Sequence, residues 1–123
     1  EEKKFTDDIV SLIHSQRFTT SSVDEIASRL NQKTSSIKEF IKLAESLNKL
    51  IIINGQFLFS MKNINELNLI ISNHFSINDS MSVSDFKLLA KTSRKYAVPL
   101  LEYLDKEKIT YRVGNERKLL NAN

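Results

Sequence analysis

Apolar residues recur at helical spacing in three successive runs within the first half of the chain. A spacing of three and four residues places each set on one face of a helix, so the pattern predicts three amphipathic helices. Ser22 and Glu25 have the spacing of a capping box, which places the start of the second helix at this serine. The three apolar faces are Phe5, Ile9, Leu12 and Ile13; Val23, Ile26, Ala27 and Leu30; and Ile37, Phe40, Ile41, Ala44 and Leu47.

The period of the apolar pattern changes from helical to strand-like at Leu50. Two apolar runs, Leu50–Ile53 and Phe57–Phe59, are separated by Asn54-Gly55-Gln56. Asn-Gly between such runs is typical of a hairpin, because both residues accept the positive φ angles of a primed turn. Three helices followed by a hairpin within about sixty residues predict a winged-helix unit.

The second half of the chain repeats this order of elements. Val23 and Val83 correspond at an offset of 60 residues, and Gly55 and Gly114 correspond at an offset of 59. Duplication of one supersecondary unit is the simplest explanation of this register. The predicted elements of the second half are helices over residues 64–75, 82–90 and 97–104, and strands over residues 109–113 and 117–120.

The repeat defines the fold class and the domain organisation. We predict an α+β, mainly helical chain with two tandem winged-helix domains, unit one at residues 1–61 and unit two at residues 62–123. Two glycines and one proline are too few for an all-β fold with many tight turns. The chain begins with Glu-Glu-Lys-Lys and no methionine, so we expect it to be part of a longer protein.

Charge is distributed unequally between the two halves. Residues 1–60 carry eight basic and eight acidic side chains, whereas residues 61–123 carry ten and seven, so the whole net charge of +3 lies in the second half. We therefore expect a polyanion to bind there. Cysteine is absent, which excludes disulfides and thiolate metal sites, and fits a cytoplasmic protein. No apolar run approaches the roughly 20 residues of a membrane span.

The densest group of cations lies in a short turn between two predicted helices, at Lys91-Thr92-Ser93-Arg94-Lys95-Tyr96. The positive end of a helix dipole and its free N–H groups favour phosphate at a helix start. We interpret this turn as a nucleic-acid-binding corner. Pro99 leaves two alternatives for the helix that follows, which is either kinked at the proline or begins nearer Val98.

A comparison within the chain assigns the binding to unit two. The corresponding turn of unit one is read as Lys33-Thr34-Ser35-Ser36-Ile37, which shares Lys-Thr-Ser but lacks the arginine, second lysine and tyrosine. The second hairpin is also basic, with Arg112, Arg117 and Lys118. We expect the basic turn and the basic hairpin to converge on one side of unit two. Unit one is predicted to be a spacer or structural module.

The sequence around the basic turn resembles a known family. Residues 92–105 read TSRKYAVPLLEYLD and residues 110–117 read TYRVGNER, which is similar to the last winged-helix module of bacterial selenocysteine-specific elongation factors, the SelB family. Unit one resembles the preceding module in architecture only. Two departures are Tyr111, where the family often has arginine, and Asn115, where it usually has aspartate. The resemblance implies a parent protein with a GTPase domain that carries selenocysteyl-tRNA.

The resemblance also implies that this fragment binds the apical loop of the selenocysteine insertion hairpin (SECIS) in mRNA. Proteins read RNA sequence mostly at loops and bulges, because the major groove of an A-form duplex is too narrow for side chains. Cations would then hold the loop phosphates and Tyr96 would stack or pack. The predicted RNA-binding residues are Thr92, Ser93, Arg94, Lys95, Tyr96, Arg112 and Arg117, with Lys91 and Lys118 as additional electrostatic contributors.

Two other functional classes stay open at this point. A DNA-binding transcription regulator uses the same fold, and a purely structural interaction module is a third class. A regulator would place base-reading side chains along its third helix, which here carries Leu100, Leu101, Glu102 and Asp105. That face is poorly suited to a major groove.

Catalysis and cofactors are not expected. His14 and His74 have no cysteine, second histidine or acidic cluster at ligand spacing, so no metal site is predicted. A glycine-rich phosphate loop and a nucleophile elbow are both missing from the sequence. We therefore expect a non-enzymatic monomer that binds an mRNA hairpin, with the ribosome as a further partner and without a membrane or a cofactor.

Overall fold

The chain divides into two compact units, residues 1–64 and 65–123. The structure, a computed structural model, describes residues 2–120. Unit one contains α1 (Glu2–Ser15), α2 (Val23–Leu30), α3 (Thr34–Ser46), β1 (Leu50–Ile53) and β2 (Phe57–Ser60). The elements that follow are α4 (Met61–Phe75), β3 (Met81–Ser82), α5 (Val83–Ala90), α6 (Arg94–Lys106), β4 (Thr110–Val113) and β5 (Glu116–Leu119).

This order of elements confirms the predicted fold class, a mainly helical tandem of winged-helix units. The structure divides the units between Ile64 and Asn65, whereas the sequence placed the boundary between residues 61 and 62. That position lies inside α4, which begins directly after β2. No residue separates the end of β2 at Ser60 from the start of α4 at Met61.

Side-chain caps set the start of the second helix in each unit. The Ser22 N–H donates to Glu25 Oε1 at 2.7 Å, and the Glu25 N–H donates to Ser22 Oγ at 3.2 Å. Ser82 and Asp85 form the same reciprocal pair at 2.9 and 3.0 Å. Each pair satisfies two N–H groups that a helix start leaves without partners. The predicted capping box at Ser22 is confirmed, and Ser82, which has the same spacing to Asp85, forms a second one.

The third helix of each unit begins earlier than its apolar stripe indicates. Helix α3 starts at Thr34, and α6 starts at Arg94 with Pro99 inside it. A start near Val98 is therefore wrong. Proline has no N–H, so it removes the bond that residue 99 would otherwise donate to the Lys95 carbonyl. Consequently Arg94, Lys95 and Tyr96 form the first turn of α6.

Both hairpins form as antiparallel pairs. In unit one Ile53 pairs with Phe57, and the turn residues Asn54 and Gly55 have φ angles of +54° and +67°, as a primed turn requires. In unit two Val113 pairs with Glu116 across a turn in which Gly114 has a φ of +62°.

A third strand in unit two was missed. The sequence predicts a polar loop over residues 76–81, yet Met81–Ser82 forms β3, which pairs with β5 on the side opposite to β4. Two residues are too few to show an alternating pattern. The sheet order β3-β5-β4 places β5 in the centre.

Each unit has its own apolar core. In unit one the buried faces of α1, α2 and α3 pack with the hairpin residues Leu50 and Leu58. In unit two the predicted core residues Leu100, Leu101 and Leu104 are at most 1% exposed, together with Phe86. These cores hold the third helix and the hairpin of each unit in place, and so position the surface described next.

Candidate nucleic-acid interface

The basic corner of unit two is built from the end of α5 and the start of α6. Lys91 follows α5 in the left-handed conformation with a φ of +54°, and its N–H bonds to the Lys87 carbonyl. The Thr92 N–H also donates to the Lys87 carbonyl, at 3.1 Å. Ser93 is the N-cap residue of α6, but its side chain makes no capping hydrogen bond. Three residues therefore connect α5 to α6, and the last of them, the exposed Ser93, lies at the helix start.

Two exposed cations occupy the first turn of α6. Within residues 2–120, the Arg94 side chain has neither an ion pair nor a hydrogen bond. The Lys95 Nζ lies 5.3 Å from the centre of the half-buried Tyr96 ring. A cation at a helix N-terminus is opposed by the helix dipole, and a bound anion would offset this cost.

The basic turn and the basic hairpin meet at one cavity of about 390 Å³. Arg94 reaches it from α6, and Arg112 and Arg117 reach it from the hairpin. The expected convergence of these two groups is thus present in unit two. The lining residues are Ser82, Val83, Ser84, Arg94, Val98, Leu101, Glu102, Arg112, Asn115 and Arg117.

The hairpin of unit two has two different faces. Arg112 and Arg117 are paired across β4 and β5, and so are Tyr111 and Lys118. Because successive side chains of a strand point to opposite faces, Tyr111 and Lys118 lie on the face that is turned away from the cavity. Tyr111 is 43% exposed there. The structure therefore separates Lys118 from Arg94 and Arg112.

Arg117 differs from the other two arginines at the cavity, because its side chain is only 6% exposed. Its Nη2 and Nε groups donate to Asp105 Oδ2 at 2.9 and 3.1 Å. The Thr110 hydroxyl donates to the other carboxylate oxygen, Oδ1, at 2.7 Å. In contrast, the exposed Arg112 donates from Nε to the Gly114 carbonyl at 2.8 Å. From the sequence Arg112 and Arg117 are equivalent cations, but in the structure Arg112 is exposed and Arg117 is buried in an ion pair.

The register of the two units changes the comparison of their turns. Asn31 and Lys91 are the left-handed residues after α2 and α5, and Thr34 and Arg94 begin α3 and α6. The offset at these positions is 60 residues, so Lys33-Thr34-Ser35 does not correspond to Lys91-Thr92-Ser93, as the sequence comparison assumed. The counterparts of Arg94-Lys95-Tyr96 are Thr34-Ser35-Ser36. The first turn of α6 therefore still has two cations where the first turn of α3 has none, although the residues aligned from the sequence were not the true counterparts.

Unit one has a smaller groove of about 180 Å³ at the corresponding place. Lys38 and Lys42 of α3 line it, whereas unit two has Val98 and Glu102 at these positions. Lys38 and Lys42 lie beyond the helix starts and the hairpins that were compared in the sequence, so they were missed there. The two units therefore differ in where their cations lie as well as in how many they have.

Both histidines make local hydrogen bonds. His14 Nδ1 lies 2.9 Å from Ser60 Oγ, and His74 Nε2 lies 2.8 Å from the Ser80 carbonyl. In the part of the chain that the structure describes, His, Asp and Glu side chains form no group of three that could hold a metal ion. Among residues 2–120 there is also no helix with the length and apolar character to span a membrane.

The two helix–hairpin units define the class of the protein, which is a tandem winged-helix protein. Residues 73–119 match the family described as "Elongation factor SelB, winged helix". The chain therefore contains a winged-helix module of the SelB family. A selenocysteine-specific elongation factor of Desulfomicrobium baculatum is 34% identical over 83 residues, which is 68% of this chain and 13% of that protein.

Two solved structures share the fold. The mRNA-binding domain of elongation factor SelB from E. coli, solved in complex with SECIS RNA, has a TM-score of 0.81 and 19% identity, over 98% of both chains. The bacterial selenocysteine-specific elongation factor EF-Sec has a TM-score of 0.72 and 24% identity, over 98% of this chain and 19% of its own. The chain thus spans a small part of the full-length factors that it matches.

Proposed function

We propose that this chain binds the apical loop of a selenocysteine insertion (SECIS) hairpin in mRNA, through unit two. The observation that carries the proposal is the convergence of Arg94 and Arg112 on one cavity. The family match covers this same unit. An RNA loop suits the site, because splayed-out nucleotides expose both their phosphates and their base edges.

The residues of the corner take separate roles in the proposal. Arg94, Lys95, Arg112 and Lys91 hold backbone phosphates, and these contacts make the affinity depend on salt. Ser93 and the first N–H groups of α6 bind phosphate or sugar oxygens. Thr92 and Tyr96 complete the proposed contact set, whereas Arg117 acts from within its ion pair with Asp105 and Lys118 adds only to the local positive charge.

A DNA-binding regulator is the alternative function. Its third helix would enter a major groove and read base edges from its exposed face. In α6 the cavity side carries Val98 and Glu102, and neither side chain can donate a hydrogen bond to the N7 and O6 acceptors that a guanine presents in a major groove. This composition favours the RNA hairpin over duplex DNA.

The proposal extends to the longer protein. The parent would be a cytoplasmic GTPase that brings selenocysteyl-tRNA to the ribosome, with this chain as a monomeric, non-catalytic fragment that needs no cofactor. Unit one would act as a spacer that contacts the ribosome. The proposal takes these properties from what the resemblance to selenocysteine-specific elongation factors implies.

The decisive experiment is a binding titration at fixed salt with three ligands: a SECIS hairpin, the same hairpin with a scrambled loop, and a duplex DNA. The wild type is expected to bind the SECIS hairpin at least about tenfold more tightly than the other two, which corresponds to ~1.4 kcal/mol. Equal affinity for the three ligands would refute the proposal.

A matched pair of variants locates the binding site in the same titration. Arg94→Ala and Arg29→Ala each remove one exposed arginine, the first at the basic corner and the second in the last turn of α2. Only the first is expected to weaken hairpin binding. Equal losses for both variants would indicate nonspecific attraction by the total charge.

A further inference from the structure

We propose that Asp105 is a positioning residue for RNA binding, because its ion pair with Arg117 sets the direction in which the hairpin presents Arg112. This inference rests on the proposed function. Asp105 lies near the end of α6, and Arg117 lies on β5, the central strand of the sheet. Thr110 of β4 donates to the same carboxylate, so a single side chain connects α6 to both strands of the hairpin.

Arg112 is the residue that this connection orients. It pairs directly with Arg117 across the hairpin, and both arginines face the cavity with Arg94. A carboxylate that accepts two N–H groups from one guanidinium fixes its angle as well as its distance. Holding Arg117 in this way therefore fixes the strand position from which the neighbouring Arg112 projects.

Unit one indicates that the fold itself does not require an ion pair here. Its counterparts of Thr110 and Arg117 are Leu50 and Leu58, which are each 1% exposed and pack in the core. Burying a charged pair is often no better for stability than burying apolar residues of similar volume. Packing between apolar side chains does not fix their relative angle, however, whereas a hydrogen-bonded ion pair does. The ion pair occurs in the unit that has three arginines at its cavity.

The direction in which Asp105→Asn changes RNA affinity distinguishes positioning from simple electrostatics. Asp105→Asn removes a negative charge next to a site for a polyanion, so electrostatics alone predicts tighter RNA binding. Positioning predicts the opposite, because the new amide N–H groups oppose those of Arg117 and release the hairpin. We expect the SECIS-hairpin affinity of the full chain to fall about tenfold or more, as small displacements of binding groups commonly cause.

Arg117→Lys is a second test in case Asp105→Asn does not fold. Lysine keeps a cation beside Asp105 but cannot supply two N–H donors from a planar group. Its control is Arg112→Lys, which keeps the charge at an exposed position. We expect Arg117→Lys to lose several-fold more affinity than Arg112→Lys at a temperature where circular dichroism shows both folded.

A double-mutant cycle supplies a readout that a merely structural role would not move. If Asp105 acts through Arg112, then Arg112→Ala should cost less affinity in the Asp105→Asn background than in the wild type. Equal costs, or folded Asp105→Asn protein that binds as well as the wild type, would overturn the inference. If instead the wild type shows no preference for the SECIS hairpin, the proposed function itself fails, and the two failures are thereby distinguished.

Discussion

Asn31 and Lys91 occupy the same backbone position in the two units, the left-handed residue after the second helix, and both have a φ of +54°. Asparagine tolerates this conformation better than other residues with a side chain, whereas lysine has no such advantage. The same replacement occurs after the third helix, where Asn48 and Lys108 have φ angles of +60° and +61°. Unit two therefore has lysine at two turns where asparagine would fit the backbone better.

The Lys91→Asn substitution should stabilise unit two and weaken RNA binding. Relief of the backbone strain is expected to add about 0.5–1 kcal/mol to the free energy of unfolding. Loss of the cation at the start of α6 should weaken hairpin binding and reduce its dependence on salt. Thermal unfolding and salt titrations of the same protein sample measure the two effects.

Lys108→Asn is the matched control for this prediction. It relieves the same kind of strain and removes the same charge, but at the opposite end of α6, about 20 Å away at 1.5 Å per residue. It should raise the stability by a similar amount and leave RNA affinity nearly unchanged. If both variants lose equal affinity, Lys91 contributes only to the total charge.

The two faces of the hairpin should contribute unequally to RNA binding. Arg112→Ala removes a cation from the cavity face, and Lys118→Ala removes one from the opposite face of the same hairpin. A lost phosphate contact lowers the slope of log affinity against log salt by about one unit. We expect this change for Arg112→Ala and a clearly smaller one for Lys118→Ala. A larger slope change for Lys118→Ala would mean that the RNA lies against the outer face of the hairpin, where Tyr111 is exposed.

Much of the fold could be predicted because local patterns and tertiary packing agree in this chain. The apolar spacing, the two serine caps and the Asn-Gly turn each specify an element that the structure contains. The two-residue strand β3 could not be predicted, because it exists only through its pairing with Arg117 and Glu116 of β5. The start of α6 was ambiguous because Pro99 weakens a helix locally, while the surrounding core holds that helix intact.

The convergence of the basic turn and the basic hairpin could be predicted from the sequence, but the direction in which each side chain points could not. The density of cations identified both the turn and the hairpin. Strand alternation could have shown that Lys118 and Arg117 face opposite sides, because they are adjacent in sequence. The ion pair of Arg117 with Asp105 depends on how α6 packs against the hairpin, which no local pattern contains. The correct register at Arg94 follows when the two units are aligned by the capped starts of their second helices. The shared Lys-Thr-Ser residues give the wrong alignment.

Removing a capping serine should destabilise each unit separately. Ser82→Ala and Ser22→Ala both delete the hydroxyl that accepts the N–H of the third helical residue. Each substitution should cost about 1 kcal/mol of the stability of its own unit. Hydrogen exchange measured along the chain distinguishes the units, because only the amides of the altered unit should exchange faster. A uniform effect over both units would show that they unfold together.

The capping box of unit two should also make its stability depend on pH in the acid range. The hydrogen bond from the Ser82 backbone N–H is the main cause that lowers the pKa of Asp85 from its ordinary value of 3.8. The folded state therefore binds this proton less readily than the unfolded state, so the stabilisation is complete above the unfolded pKa and is lost as the pH falls through the folded pKa. In Asp85→Asn the side chain does not titrate, so the variant should lose less stability than the wild type between about pH 5 and pH 2. Denaturant titrations of both proteins at several pH values measure this difference, and parallel stability curves would show that the carboxylate of Asp85 does not stabilise the folded unit.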